Sequence, residues 1–461
     1  MQVANGECFI VLSNEIEGRI DPHFYRPNFS LLDKKLKRVN HSALGDIVEF
    51  SGETWNGEDF FTDKFPYIEI SEIDINTGEI KDIAYYEKAE APSRAKMIVR
   101  NSDIIVSTTR PHRGAIALID DSKDGFIAST GFVVLRNLKN KEVNKNYLFY
   151  ILRTSFILDQ MLQRSSGGSY PAITVEELSK IIIPIPAPET QEKIVEIMQS
   201  AYAKKAEKEQ KAEDFFHSID NYILEELNIE LSQIREEKCF SVNFSDIKNN
   251  RLDPHFFKPE FINLTQELKK GKTNITTFGK ITKSIINGFD YRTFSDNGLP
   301  YLRVQNIRPN SIDLEDVKRI DTNPINKDIR LETGNILLTR KGTFGVSVCL
   351  KNNYDYVISS EIFKIKTTAD TNPNYLSIIL NSQIGQRQFN RVKIGAIMGS
   401  LSQEAIKEVL IPLPNLDAQN KITKEVEGRL AQAEKMRLEA KNEIEKAKII
   451  VESLILNSGL N

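Results

Sequence analysis

At 461 residues the chain is long enough for two to four domains, each with its own core. Its content, 40% hydrophobic and 27% charged, is that of an ordinary soluble protein, and no apolar run reaches the roughly 18 residues of a membrane span. A net charge of −3 argues against a protein that coats nucleic acid with its whole surface. The N-terminus, Met1-Gln-Val-Ala-Asn-Gly, lacks the basic and apolar regions of a signal peptide. Cys8, Cys239 and Cys349 form no CxxC pair, so they read as reduced thiols of a cytoplasmic protein. With five scattered histidines no metal site is expected.

In chain order, the sequence is a tandem repeat. Cys8-Phe-Ile-Val11 matches Cys239-Phe-Ser-Val242, and Arg19-Ile-Asp-Pro-His-Phe-Tyr-Arg-Pro27 matches Arg251-Leu-Asp-Pro-His-Phe-Phe-Lys-Pro259. The Asp-Pro step disfavours helix before the proline and predicts a turn. His23 and His255 read as part of that turn, with a ligand role as the alternative. A short helix over 28–38 is matched at 260–270. Beyond Gly45 and Gly279 both halves become β-rich. Residues 65–70 match 299–304, 103–107 match 335–339, and 126–135 match 356–365, as short β-branched runs between Gly, Asn and Asp. Tyr147, Leu148, Ile151 and Leu152, matched by Tyr375, Leu376, Ile379 and Leu380, have the spacing of one apolar helix face. Glycine-bearing loops follow at 164–170 and 391–399, with Gly167 on Gly395. Thr174-Val-Glu-Glu and Ser402-Gln-Glu-Ala then open a short helix, the first with capping-box spacing. Each half is an α+β module of roughly 180 residues, a common domain size.

Each module ends in a strand, a Pro-x-Pro hinge and a long charged helix. Ile181-Ile-Ile-Pro-Ile-Pro-Ala-Pro-Glu-Thr-Gln-Glu-Lys-Ile-Val195 returns 228 positions later as Val409-Leu-Ile-Pro-Leu-Pro-Asn-Leu-Asp-Ala-Gln-Asn-Lys-Ile-Thr423. Proline ends strand pairing and cannot extend a helix backwards. Helices are predicted over 190–227 and 417–456. In the second, Val426, Ala433, Ala440, Ala447 and Leu454 recur every seven residues, beside Leu430, Ile444 and Val451. In the first, Met198, Ala212 and Ile219 form one seam, with Ala201, Phe215 and Tyr222 alongside. Heptads predict a coiled coil, and alanines allow close approach. Each long helix is the other's natural partner. The expected fold class is α+β: two repeated modules, 1–188 and 233–416, separated by two long antiparallel coiled-coil helices, 189–232 and 417–461, with pseudo-two-fold symmetry.

Charge is unevenly spread. Residues 251–400 hold 22 Lys and Arg against 14 Asp and Glu, whereas 19–168 hold 21 of each. A polyanion partner is therefore signalled locally, most in the second half. Thr339-Arg340-Lys341-Gly342-Thr343-Phe344-Gly345 puts two cations, two hydroxyls and two glycines after a buried strand. The first half offers Thr108-Thr109-Arg110-Pro111-His112-Arg113-Gly114 in the same place. Such loops can approach phosphates and base edges, or be plain hairpin turns. The glycine loops add Arg164, Ser169 and Tyr170, and Arg391 and Lys393. Gln305, Asn306 and Arg308 are suited to reading bases, or stand as exposed strand residues. Their counterparts, Glu72 and Ile73 among them, differ in charge.

Catalytic signals are weak. Asn372-Pro-Asn-Tyr375 approaches the Asn-Pro-Pro-Tyr loop of amino-methyltransferases but lacks its second proline, and no glycine-rich cofactor loop precedes it. Gly271-Lys272-Thr273 lacks the upstream glycine of a phosphate-binding loop. No active site is expected in this chain.

Taken together, the duplicated strand–Pro-x-Pro–helix segment with Gln191 and Gln419, the Gly334-Asn-Ile-Leu-Leu-Thr-Arg-Lys-Gly-Thr-Phe-Gly345 segment and the module–helix–module–helix order make the chain resemble the specificity subunits of Type I restriction–modification systems over essentially its full length. The first-half segment, Ser102 to Gly114, departs from the Arg-x-Gly-Thr-x-Gly pattern. The resemblance implies that each module reads one half of a split, asymmetric site in double-stranded DNA and that the paired helices fix the unread gap. It implies docking of two modification (methyltransferase) subunits and of restriction (translocase and endonuclease) subunits. S-adenosylmethionine, ATP and Mg would belong to those partners, leaving this chain without a cofactor. The alternatives are a specificity chain of a Type II enzyme, a coiled-coil scaffold without DNA binding, and a solitary methyltransferase.

Overall fold

In each half a short, wholly buried strand lies in the middle of a four-stranded sheet covered on both faces. The computed structural model describes residues 9–12, 16–57, 61–231, 239–243, 253–321, 330–395 and 399–457. Cys8, Arg251, Leu252 and part of the second glycine loop, 396–398, lie outside the described residues. The chain divides into two units, Met1–Glu209 with Arg437–Asn461, and Gln210–Met436. Each unit takes in a part of both long helices.

In the first unit Ile104–Ser107 lies between Phe132–Leu138 and Ile116–Leu118, with Val48–Phe50 at the far edge. Ile104 pairs with Leu135 and Leu118, and Val106 with Val133 and Ile116. Side chains alternate between faces along a strand. Ile104, Val106, Val133 and Leu135 join the main core with Tyr147, Leu148 and Phe156, whereas Ile105, Ala117 and Val134 join a second core on the other face. Two buried faces explain the unbroken apolar run in the sequence. A second sheet has the order Ala84–Glu87, Lys64–Ile68, Ile127–Ser129, Ala95–Ile98. The run 126–135 is therefore two strands in different sheets, separated at Thr130 and Gly131. The second unit repeats the plan. Its main sheet has the order Thr282–Asn287, Ile362–Thr367, Ile336–Thr339, Ser347–Cys349.

Repeated residues fill the same structural roles twice. The Asn144 side chain caps helix Lys145–Ile151 by accepting from the Asn146 and Tyr147 N–H groups, and Asn372 caps Pro373–Asn381 through Asn374 and Tyr375. Asn372-Pro-Asn-Tyr375 is thus a helix start. The hydroxyls of Tyr147 and Tyr375 donate to the Pro184 and Pro412 carbonyls, each at 2.7 Å. Gln191, buried in the first turn of its helix, accepts from Asn144 N–H and donates to the Glu142 and Pro186 carbonyls. Gln419 does the same with Asn372, Asp370 and Pro414. These amides tie the proline hinge to the helix cap. Asp21 and Asp253 accept from Phe24 and Phe256 N–H, each at 3.0 Å, so the Asp-Pro segments are turns.

A helix not expected from the sequence, Ser155–Arg164, follows the first, and Gln383–Val392 is its counterpart. Their apolar stripes are blurred by buried glutamines. Gln160 donates to the Ile182 carbonyl and accepts from its N–H; Gln388 does the same for Leu410. Each amide completes the free edge of a two-stranded ribbon, His41–Ala43 with Ile182–Pro184 or Ile275–Thr277 with Leu410–Pro412.

The long helices run Pro188–Leu227 and Leu416–Asn457. The predicted seam residues Val426, Ala433, Ala440, Ala447, Ile444 and Val451 are buried. In the first unit Lys208 pairs with Glu439 at 3.0 Å and Glu443 at 2.7 Å, and Met198 and Ala201 share a core with Ile444, Val451 and Ile455. In the second unit Arg429 donates to Ser218 and Lys421 pairs with Glu226. Among the described residues no helix is long and apolar enough to cross a membrane.

Candidate nucleic-acid interface

In both units the basic loop leaves the central strand and is hydrogen-bonded to the glycine loop. In the first unit Arg110, in the left-handed conformation with φ 49°, donates its N–H to the Pro171 carbonyl at 2.7 Å. Its guanidinium donates to the Ser169 carbonyl at 3.2 Å and lies 4.2 Å from the centre of the Tyr170 ring. Ser166 and Ala172 exchange backbone hydrogen bonds at 2.8 Å and so close the glycine loop around Gly167, whose φ is +94°. Tyr170 is 70% exposed. Thr109, Arg113 and Ser169 are exposed as well. His112 is half-buried; burial, with Arg113 and Arg110 adding to it, lowers its pKa from the ordinary imidazole value, which favours the neutral ring.

The second unit builds the same backbone crossing with other side chains. Leu401 N–H donates to the Arg340 carbonyl at 2.7 Å, and Ile394 and Ser400 exchange bonds at 2.9 Å. Arg340 turns inward, donating to the Ser360 carbonyl and packing over Phe363 at 5.3 Å. Lys341 and Thr343 are exposed, and Lys393 is half-buried. Phe344 lies against Gly399, where a Cβ would meet the ring at 2.4 Å. The aromatic cover of the crossing thus comes from the glycine loop in one unit and the basic loop in the other.

Four of the sixteen expected contact residues serve the framework instead. Arg164 pairs with Glu177 at 3.2 Å and Glu17 at 3.4 Å, with 10% of its side chain exposed. Burial works against ionisation of Glu177, yet hydrogen bonds from Lys180 and Arg164 hold its carboxyl below the usual range. Arg391 donates to the Phe256 carbonyl and Thr265, and stacks on Phe256 at 4.2 Å. Both arginines hold the N-terminal turn of their module, which spacing alone did not reveal. Thr339 is fully buried, its hydroxyl accepting from Val346 N–H at 2.9 Å. Asn306, 2% exposed, accepts from Arg303 N–H and donates to the Asp313 carbonyl. Its counterpart Glu72 likewise accepts from Glu69 N–H, so the charge difference between the two lies inside a shared turn.

Gln305 and Arg308 are exposed but occupied. Gln305 donates to Asp316 at 3.2 Å and Arg308 pairs with Asp313 at 3.3 Å. Gln305 precedes, and Arg308 belongs to, a hairpin, Ile307–Arg308 with Ser311–Ile312, whose tip donates from Asn310 N–H to the Ser347 carbonyl at 2.9 Å. Ser347 begins the strand that follows the basic loop, so hairpin, basic loop and glycine loop meet at one end of the sheet. In the first unit the hairpin closed by Ile73 and Ile80 lies against the same place, its Ile75 carbonyl 3.7 Å from where a Cβ on Gly114 would be. Sequence reasoning missed the residues that hold this convergence, Arg153 and Asn381. They share the repeat offset of 228 but differ in type, so neither stood out.

The family model of the Type I restriction modification DNA specificity domain matches residues 37–214 and 280–446, well over half of the chain. The Type I restriction enzyme HindI specificity subunit of Haemophilus influenzae is 30% identical over 164 residues, 35% of this chain and 31% of that protein, so the match spans about a third of that relative's length. The Type I restriction enzyme MjaVIII specificity subunit of Methanocaldococcus jannaschii is 23% identical over 379 residues, 79% of this chain and 80% of that one. A chain solved in work on complex assembly and conformational transition of the type I R-M system superposes with a TM-score of 0.52 at 19% identity, covering 91% of this chain and 97% of that chain. That likeness speaks to the fold.

Proposed function

Because the chain belongs to the Type I restriction modification DNA specificity family, we propose that it is the non-catalytic recognition subunit of such a system. It reads a bipartite, asymmetric site in double-stranded DNA in the cytoplasm. Modules 1–188 and 233–416 each read one half; 189–232 and 417–461 set the gap. The observation that carries this reading is the twice-built meeting of hairpin, basic loop and glycine loop on one framework with different side chains. Thr109, Arg110, His112, Arg113, Ser169 and Tyr170 face one half-site. Gln305, Arg308, Lys341, Thr343 and Lys393 face the other, with Arg340 folded back behind Lys341. Arg164, Asn306, Thr339 and Arg391 hold the frame beneath them.

Cations supply salt-dependent phosphate attraction, while amide, hydroxyl and guanidinium groups discriminate bases by roughly 1–3 kcal/mol per good contact. Linking two readers makes the second contact intramolecular, so modest affinities multiply. The long helices form an antiparallel coiled coil with approximate two-fold symmetry. Support comes from within the second unit, where Ser218 meets Arg429 and Glu226 meets Lys421, numbers that rise along one helix and fall along the other. The helices also dock two modification subunits, which bring S-adenosylmethionine, and restriction subunits, which bring ATP and Mg.

The test is to co-express the chain with the modification subunits in a host lacking adenine methylation and map the modified bases. One split motif with a fixed gap, lost when this chain is omitted, is expected. Methylation at a continuous motif, or a split motif formed without the chain, would contradict the reading.

A further inference from the structure

Beneath each reading surface lies one polar side chain that ties its parts together, buried in the first unit and half-buried in the second. In the first unit it is Arg153, 2% exposed at the end of helix Lys145–Ile151. One nitrogen, Nη1, donates to the Gly114 carbonyl at 3.1 Å and the Ile116 carbonyl at 2.7 Å; Nη2 donates to Ile75 at 3.1 Å. Those carbonyls belong to the end of the basic loop, the strand it enters and the hairpin. The hairpin is fitted around the guanidinium. Gly78, with φ +77°, is placed where a Cβ would meet Arg153 Nη1 at 2.8 Å and the Ile116 carbonyl at 2.7 Å.

In the second unit the equivalent position is Asn381. Its Nδ2 donates to the Ser347 carbonyl at 2.8 Å and Asn310 Oδ1 at 3.0 Å, and its Oδ1 accepts from Ser347 N–H at 2.9 Å. The same two segments, strand and hairpin tip, are tied, by a neutral group in place of a cation. Burying a guanidinium whose hydrogen bonds go to carbonyls is costly. A planar fork of fixed donors is what that cost secures, since lysine offers a single point charge. Rigid placement of the surrounding shell is what gives a recognition site its precision.

We propose that Arg153 and Asn381 are positioning residues, each fixing the reading loops of one unit and so setting the specificity of one half-site without touching DNA. This deepens the recognition reading and rests on it. Arg153 governs the half-site of the first module and Asn381 that of the second.

The experiment selects bound duplexes from a randomised library with the full chain assembled with its modification subunits. Wild type, Arg153→Met, Arg153→Lys and Asn381→Asp are compared at matched folded concentration. Arg153→Met is expected to relax base preference roughly tenfold or more across one half-site, leaving the other half-site and the gap as in wild type. Arg153→Lys relaxes the same half-site to a smaller degree, and serves in its place should methionine prevent folding. Asn381→Asp, which loses the donor but keeps the shape, relaxes the opposite half-site. Unchanged preferences in folded Arg153 and Asn381 variants overturn the proposal. So does relaxation of both half-sites together, which is the mark of general destabilisation. Failure of the wild-type assembly to select any split sequence would instead refute DNA reading itself.

Discussion

Residues 108–114 and 339–345 follow equivalent strands of the two units, yet they spend their arginines in opposite ways. Arg110 reaches across to the glycine loop and stacks under an exposed tyrosine, whereas Arg340 folds back onto Phe363 and leaves Lys341 as the outward cation. The strands, caps and amide ties beneath them are superimposable in role: Tyr147 with Tyr375, Gln160 with Gln388, Gln191 with Gln419. The difference teaches that one framework carries two different loop surfaces. A protein with one ligand has little use for that division; one that must read two different half-sites depends on it.

The largest effects should fall on the shared framework, equally in both units. Gln191→Leu and Gln419→Leu each leave three backbone groups without their hydrogen bond, and each is expected to lower stability by roughly 1–3 kcal/mol in thermal unfolding. A large loss in one and none in the other would break the equivalence of the frames. The readers should separate instead. Arg340→Ala with Lys341→Ala is expected to weaken one half-site about tenfold to a hundredfold, and Arg110→Ala with Arg113→Ala the other, with assembly intact in both. Loss of assembly would make these loops structural. Lengthening both helices by four residues, after Ala433 and after Ala212, adds about 6 Å, which at about 3.4 Å per base pair is close to two more base pairs of gap. Methylome mapping reads that directly, and an unchanged gap would end the spacer role.

The smallest effect sharpens the contrast between the hairpins. Burial works against ionisation of Asp74, but a hydrogen bond from Lys81 and N–H groups of Asn76 and Thr77 lower its pKa from 3.8 to about 2. A depressed carboxyl stabilises the fold above its unfolded pKa and ceases to as pH falls through its folded one. Asp74→Asn should therefore cost roughly 1–3 °C in Tm at pH 7, the pair being partly exposed. The gap to wild type should close between pH 4 and pH 2. A gap that persists at pH 2 would assign the effect to shape and not to charge.

Much of this was legible in the sequence, because the repeat supplied an internal alignment. The Pro-x-Pro hinges, the buried strands, the heptad alanines and the Asn caps stood out as residues matched at a constant offset. What escaped had a physical reason. Helix Ser155–Arg164 was hidden because Gln160 and Gln163 occupy its apolar face and are buried there. Arg164 and Arg391 looked like loop cations, but ring stacking and carbonyl acceptors from the module's own N-terminal turn draw them inward. Asn306 looked like a base reader, and its cap is visible only once Arg303 and Asp313 are in place. Exposure of a polar residue depends on partners far along the chain, and local pattern carries no record of them.

The account's central claim is that two independent readers share one frame. The most direct measurement replaces residues 233–416 by a second copy of 1–188, within the chain assembled with modification subunits, and maps the methylated motif. The claim predicts an inverted repeat of the half-site read by the first module, at the wild-type gap. A motif that keeps the second module's half-site, or a new motif unrelated to the first, would contradict it.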